Sequence, residues 1–121
     1  MKKTLFYGAG NISQSIIKGL IKNGVSKKDI LFIDRNPSNT KELLKMGIKS
    51  ISKNQLNNEI GIIILAIKPK DTFQACQEIA DKIDSPNIVS VVAGIKLIKI
   101  EQYFKKAKVV RAMPITASAY G

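Results

Sequence analysis

The sequence has no histidine, a single cysteine, and nine acidic residues against twenty basic ones. Without histidine, the commonest general base and the commonest transition-metal ligand are both missing, so no metal centre is expected. Cys76 has no intrachain partner, which excludes an internal disulfide and fits a reducing, cytoplasmic setting. No apolar run approaches the roughly 20 residues that a membrane-spanning helix needs. The apolar stretch behind Met1-Lys2-Lys3 is interrupted at once by Gly8, Gly10, Asn11 and Gln14, so no export signal is expected. There is no internal repeat, no low-complexity linker and no second domain within the 121 residues, and an apolar content of 45% argues against disorder.

The formal net charge of +11 raises the question of nucleic acid. The lysines, however, run through nearly every segment, from Lys2, Lys3, Lys18 and Lys22 to Lys41, Lys45, Lys49 and Lys53. They form no arginine-rich block and no aromatic stacking platform accompanies them, so a solvated surface is expected, with neither nucleic acid nor membrane as partner. The same positive field would attract a polyanionic cofactor.

What is present begins with Thr4-Leu5-Phe6-Tyr7-Gly8-Ala9-Gly10-Asn11-Ile12-Ser13. A short apolar run ends in two glycines, and an amphipathic segment follows with Ile12, Ile16, Ile17, Leu20 and Ile21 at helical spacing. Strand, glycine turn and helix together form the context of a dinucleotide fingerprint. Gly8 permits the tight turn, Gly10 lets backbone approach a pyrophosphate, and the amides opening the helix, around Asn11 and Ile12, face the anion. Ser13 fills the third glycine position with a side chain small enough for close packing of helix on strand.

Six strands are predicted near Thr4–Tyr7, Ile30–Asp34, Ile48–Ile51, Gly61–Ile67, Asn87–Ala93 and Lys108–Ala112. The fourth is apolar without alternation, the pattern of a strand covered on both faces. Helices are predicted over about Asn11–Asn23, stopping at Gly24, and Asn39–Met46, stopping at Gly47. A short helix is expected around Asn54–Asn58. A longer one follows Pro69, with Phe73, Cys76, Ile79, Ala80 and Ile83 on one face, and a last spans Leu97–Phe104. This alternation implies an α/β fold: a Rossmann-type, doubly wound, mainly parallel sheet of about six strands with helices on both faces.

Ligands of such sheets sit beyond the carboxyl ends of the strands. The second strand ends in Asp34-Arg35-Asn36-Pro37. An acidic residue here accepts hydrogen bonds from an adenosine ribose and favours NAD, whereas an arginine with small polar neighbours holds a 2′-phosphate and favours NADP. Both types are adjacent, and NADP(H) is expected over NAD(H); the alternative is that Asp34 only caps the turn and Arg35 is a surface residue. Ala66 and Lys68-Pro69 close the fourth strand: Ala66 lets a cofactor pass, Lys68 faces its phosphates or solvent, and Pro69 opens a helix. Ala93-Gly94, after the fifth strand, suits backbone contact with a flat ring. Arg111-Ala112-Met113-Pro114 ends the sixth, with Arg111 in an apolar run where an unpaired charge is expensive. Cys76, on an apolar helix face, is expected in the core.

In this order the strand ends resemble pyrroline-5-carboxylate reductases. The resemblance rests on Gly8-Ala9-Gly10-Asn11-Ile12, Ile17-Lys18-Gly19-Leu20, Asp34-Arg35-Asn36-Pro37, Leu65-Ala66-Ile67-Lys68-Pro69, Val91-Val92-Ala93-Gly94-Ile95 and Val110-Arg111-Ala112-Met113-Pro114. It implies NAD(P)H-dependent reduction of the cyclic imine 1-pyrroline-5-carboxylate to proline, with Met113 and Pro114 joining the cofactor-binding residues. Two departures accompany it. Where the family reads Met-Pro-Asn-Thr-Pro, this chain has Met113-Pro114-Ile115-Thr116-Ala117, which removes an amide near the family's reaction site. The family's C-terminal helical domain, which forms its oligomer and completes the imine pocket, has no counterpart within residues 1–121, as in a portion of a longer reductase or a natural remnant. A related F420-dependent NADP reductase or hydroxyacid dehydrogenase, and a non-catalytic nucleotide-binding module, are the competing expectations.

Overall fold

A computed structural model describes residues 2–34 and 36–112. Arg35, Met113 and Pro114, and with them Ile115, Thr116 and Ala117, lie outside the described residues. Six strands, β1 (Lys3–Tyr7), β2 (Ile30–Ile33), β3 (Lys49–Ser50), β4 (Ile60–Leu65), β5 (Asn87–Ser90) and β6 (Lys108–Arg111), form one sheet in the order β3-β2-β1-β4-β5-β6. Every pairing is parallel. The helices are α1 (Asn11–Lys22), α2 (Pro37–Lys45), α3 (Thr72–Ala80) and α4 (Leu97–Glu101).

Period-two alternation in the central strands divides the core into two layers. Phe6, Ile30, Phe32 and Ile64 point to the side where Ile17 of α1 and Leu43 of α2 pack. Leu5, Leu31, Ile63, Leu65 and Ile88 point to the other, against Ala75, Cys76 and Ile79 of α3 and Ile100 of α4. The doubly wound α/β architecture expected from the sequence is thus observed. Strand order reverses between β1 and β4, and a crevice at the carboxyl ends of the strands opens there.

Several boundaries differ from expectation. β2 ends at Ile33, so Asp34 lies beyond it, and β4 stops at Leu65 rather than Ile67. β5 ends at Ser90 because the Ser90 hydroxyl turns back to accept the Val92 amide at 3.3 Å. β3 is only Lys49–Ser50, and β6 stops at Arg111. α2 starts at Pro37, two residues ahead of Asn39, because Asn36 is its N-cap and accepts the Ser38 amide at 3.0 Å. The helix expected at Asn54–Asn58 is a single 3₁₀ turn, Lys53–Gln55. α3 closes at Ala80, although the Ile83 amide still reaches the Ile79 carbonyl at 2.8 Å and keeps Ile83 in the core. α4 ends at Glu101, with Tyr103 and Phe104 in the turns that follow.

Two residues of the expected apolar helix faces are exposed. Ile12, in the first turn of α1, is 41% exposed. Phe73 is 37% exposed and stacks on Tyr103 with ring centroids 5.6 Å apart. Arg111 is not buried either: its guanidinium reaches solvent and donates to the Ile95 carbonyl.

Candidate functional site

The turn after β1 is set by a steric demand as well as a conformational one. Gly8 has φ +105°, a region L-residues avoid, and a Cβ built there would lie 2.3 Å from the Ala66 carbonyl oxygen. The glycine therefore lets the ends of β1 and β4 close on each other. Gly10 is different. It sits at φ −75°, open to any residue, and a Cβ would meet nothing within 4 Å. Its missing side chain leaves free space immediately before α1.

Gly10 has no side chain with which to cap α1, and the first turn carries no acidic residue. Among the described residues, no side chain accepts the leading amides of Asn11 and Ile12, which lie in the field of the helix dipole. This is the arrangement that receives a phosphate or pyrophosphate. Ser13 is fully buried and donates to the Gly8 carbonyl at 2.6 Å, so the residue in the third glycine position pins the loop while staying small. Gln14 adds a bond from Nε2 to the Ala9 carbonyl at 2.9 Å.

Asp34 faces the same loop. Its Oδ2 accepts the Ala9 amide at 2.6 Å and Asn39 Nδ2 at 3.2 Å, and its Oδ1 accepts the Asn36 amide at 2.7 Å. Asp34 thus caps the turn into α2, the alternative weighed against a cofactor contact, and its reach extends to the glycine loop. Asn36 is exposed at the start of α2.

A cleft of about 450 Å³ runs from Gly8 and Asp34 down the α3 side of the sheet, past Ile33 and Ile67 to Ala75. Its polar lining was not legible as a site in the sequence: Tyr7, Lys53, Asp71, Gln74 and Glu78 come from four separate segments. Tyr7 donates its hydroxyl to Glu78, whose other oxygen lies 3.8 Å from Lys53 Nζ and accepts Gln74 Nε2 at 3.4 Å. Lys53, which opens a 3₁₀ turn, and Glu78 on α3 carry no motif that marks them; only the packing of their segments on the sheet brings them together.

Ala66 lies half-buried against Gly8, and Lys68 and Pro69 are exposed at the entry to α3. Ala93 and Gly94 are exposed beyond β5, Gly94 with φ +77°. They do not line the main cleft: Gly94 borders a separate hollow with Phe73, Ile95, Lys96 and Lys99. Cys76 is fully buried on the inner face of α3, and burial pushes its thiol up to about 11, so it belongs to the core as expected. Among the described residues no group of His, Cys, Asp or Glu is placed to hold a metal ion. No described helix is long and apolar enough to cross a membrane.

An all-parallel doubly wound sheet with a glycine turn, an uncapped helix N-terminus and a cleft at the strand-order reversal defines a Rossmann-type dinucleotide-binding domain. The chain belongs to the family described as NADP oxidoreductase coenzyme F420-dependent, whose model matches residues 3–94. Across nearly its whole length it also matches the N-terminal domain of pyrroline-5-carboxylate reductases. It is 34% identical to pyrroline-5-carboxylate reductase 2 of Bacillus subtilis, over 98% of this chain and 45% of that protein. With pyrroline-5-carboxylate reductase 1 of Bacillus spizizenii the identity is 38%, over 99% of this chain and 42% of the relative. A solved pyrroline-5-carboxylate reductase from Coxiella burnetii superposes with a TM-score of 0.85 at 27% identity, over 98% of this chain and 46% of that one. The chain thus spans less than half the length of these relatives. The fold is shared more widely: the NADP-bound reductase of Plasmodium falciparum superposes with a TM-score of 0.75 at 16% identity, over 98% of this chain and 51% of that one.

Proposed function

We propose that this chain is the NAD(P)H-binding domain of a pyrroline-5-carboxylate reductase, an oxidoreductase acting on a cyclic imine. The observation that carries the reading is the uncapped start of α1 facing the free space beside Gly10, at the point where strand order reverses. The residues fit the cofactor: the amides of Asn11 and Ile12 receive the pyrophosphate, Gly8 and Gly10 keep the loop out of its way, and Ala66 leaves room for the adenosine ribose. Lys68 at the entry to α3, opened by Pro69, faces the cofactor's phosphates or ribose, and Ala93 and Gly94 suit backbone contact with the nicotinamide ring; the family resemblance adds Met113 and Pro114 to the cofactor-binding residues. Bound there, the cofactor supplies the hydride. The domain's own work is to orient the ring and hold it still against the substrate. Arg35 and Asn36, which follow Asp34 in the sequence, favour NADP(H) over NAD(H) through contact with a 2′-phosphate.

The imine pocket and the oligomer belong, on this reading, to a C-terminal helical domain beyond residue 121. The 121-residue chain alone should bind cofactor and reduce the imine slowly or not at all. The family description also suits an F420-dependent reductase; the match of nearly the whole chain to imine reductases favours the latter. Calorimetric titration with NADPH, and separately with NADH, tests the core of the proposal. Micromolar binding that prefers NADPH is expected; no binding of either overturns it and turns the reading to a non-catalytic module.

A further inference from the structure

We propose that Asp34 is a positioning residue that latches the glycine loop to the turn before α2, rather than the acceptor of an adenosine ribose diol; this rests on the dinucleotide reading of the site. A carboxylate oxygen offers two lone pairs. Oδ2 already accepts two donors, the Ala9 amide at 2.6 Å and Asn39 Nδ2 at 3.2 Å. Oδ1 accepts the Asn36 amide at 2.7 Å, which leaves one position where a diol would need two. The Ala9 bond is short, and it ties β2 to the loop between Gly8 and Gly10 at its midpoint. Ala9 is fully buried, so its amide has no access to solvent as a replacement acceptor.

The latch works together with two neighbours. The Gly8 amide donates to the Ile33 carbonyl at 2.8 Å and Ser13 Oγ to the Gly8 carbonyl at 2.6 Å. Three consecutive points of the turn are therefore held before any ligand arrives. A loop fixed in advance spares the ligand the cost of ordering it. Because the latch grips backbone, its contribution falls equally on every ligand with a pyrophosphate at α1, whatever its 2′-substituent. An acceptor of ribose hydroxyls would behave differently: it favours NADH, and its charge opposes a 2′-phosphate.

Amide hydrogen exchange on the ligand-free chain, before and after Asp34→Asn, reads the latch directly. In the unmodified chain the Ala9 amide should be protected like the amides of β1, and in the variant it should exchange at least about tenfold faster. Dinucleotide titration of the same variant should show NADPH and NADH both weakened, by about tenfold each and by the same factor. Unchanged Ala9 exchange, with NADH weakened and NADPH strengthened, overturns the proposal. Should the variant not fold, the unmodified chain still decides: an Ala9 amide exchanging at the rate of an open loop overturns the latch. If the unmodified chain binds neither dinucleotide, the proposed function fails, while Ala9 exchange continues to judge Asp34 on its own.

Discussion

Gly8 and Gly10 lie two residues apart and answer to different demands. A methyl at Gly8 meets the Ala66 carbonyl and a positive φ together, so Gly8→Ala should cost roughly 3 kcal/mol of stability. Gly10→Val places its branches in free space at an ordinary φ, and as an N-cap change should cost about 1 kcal/mol or less. On the proposed function it should nonetheless weaken NADPH binding more than about tenfold, because the side chain would fill the open space proposed for the pyrophosphate. Thermal unfolding and calorimetry on the two variants separate the roles. Cys76 makes a pH-dependent contribution. Burial raises its thiol from 9.0 to about 11, so the unfolded chain releases this proton first as pH rises. Stability present below the unfolded value is lost as pH climbs towards the folded one, by at most about 3 kcal/mol. Urea unfolding at neutral and strongly alkaline pH should show a steeper loss in the unmodified chain than in Cys76→Ala.

At the scale of elements, α3 and α4 hold each other through the rim of their shared layer. Phe73 on α3 stacks on Tyr103 just past α4, and Tyr103 packs against the core layer that holds Ile79 and Ile100. α4 has only five residues, too few to persist without packing. Phe73→Ala should destabilise the domain by about 1–2 kcal/mol. Faster amide exchange concentrated in α4 and β6 is the measurement that checks it; uniform loosening would place the stack outside α4's support. The helical repeat in the sequence grouped Phe73 with Cys76 and Ile79, since spacing reports which face a side chain occupies. It does not report how far the neighbouring layer extends, and here the layer ends before Phe73.

At the scale of the molecule, the two faces of the sheet are unequally covered. Ile64, Val89 and Val110 stand in one row across β4, β5 and β6, on the side of α1 and α2. Those two helices pack over β1 and β2, and the row becomes exposed towards the β6 edge, where Val110 is 49% exposed; Ile62, on the same face of β4, is 43% exposed. Apolar surface exposed among the described residues, beside the last strand of their sheet, favours association. Sedimentation should show concentration-dependent self-association of the 121-residue chain, reduced in Val110→Lys. A chain that stays monomeric without the substitution would contradict this despite a net charge of +11 that itself opposes association.

Much of this was legible in one dimension. Apolar runs separated by glycine stops placed all six strands and the order of the helices, because burial imposes its period locally. The glycine turn declared itself through its position between strand and helix. The exact ends did not, since they depend on bonds such as Ser90 to Val92 that form only once neighbouring strands are aligned. Asp34 was visible as an acidic residue at a strand end, but its commitment to the Ala9 amide depends on β1 and β2 being paired. The cleft depends on tertiary structure still more. Tyr7, Lys53 and Glu78 have no common spacing, and they meet because β1, the turn after β3 and α3 converge on one side of the sheet. Sequence alone therefore determined the fold class and the glycine turn ahead of α1, both products of local periodicity and backbone conformation. Only the tertiary structure decided which side chains face one another across the site, because those contacts span the chain and exist only when the sheet has closed.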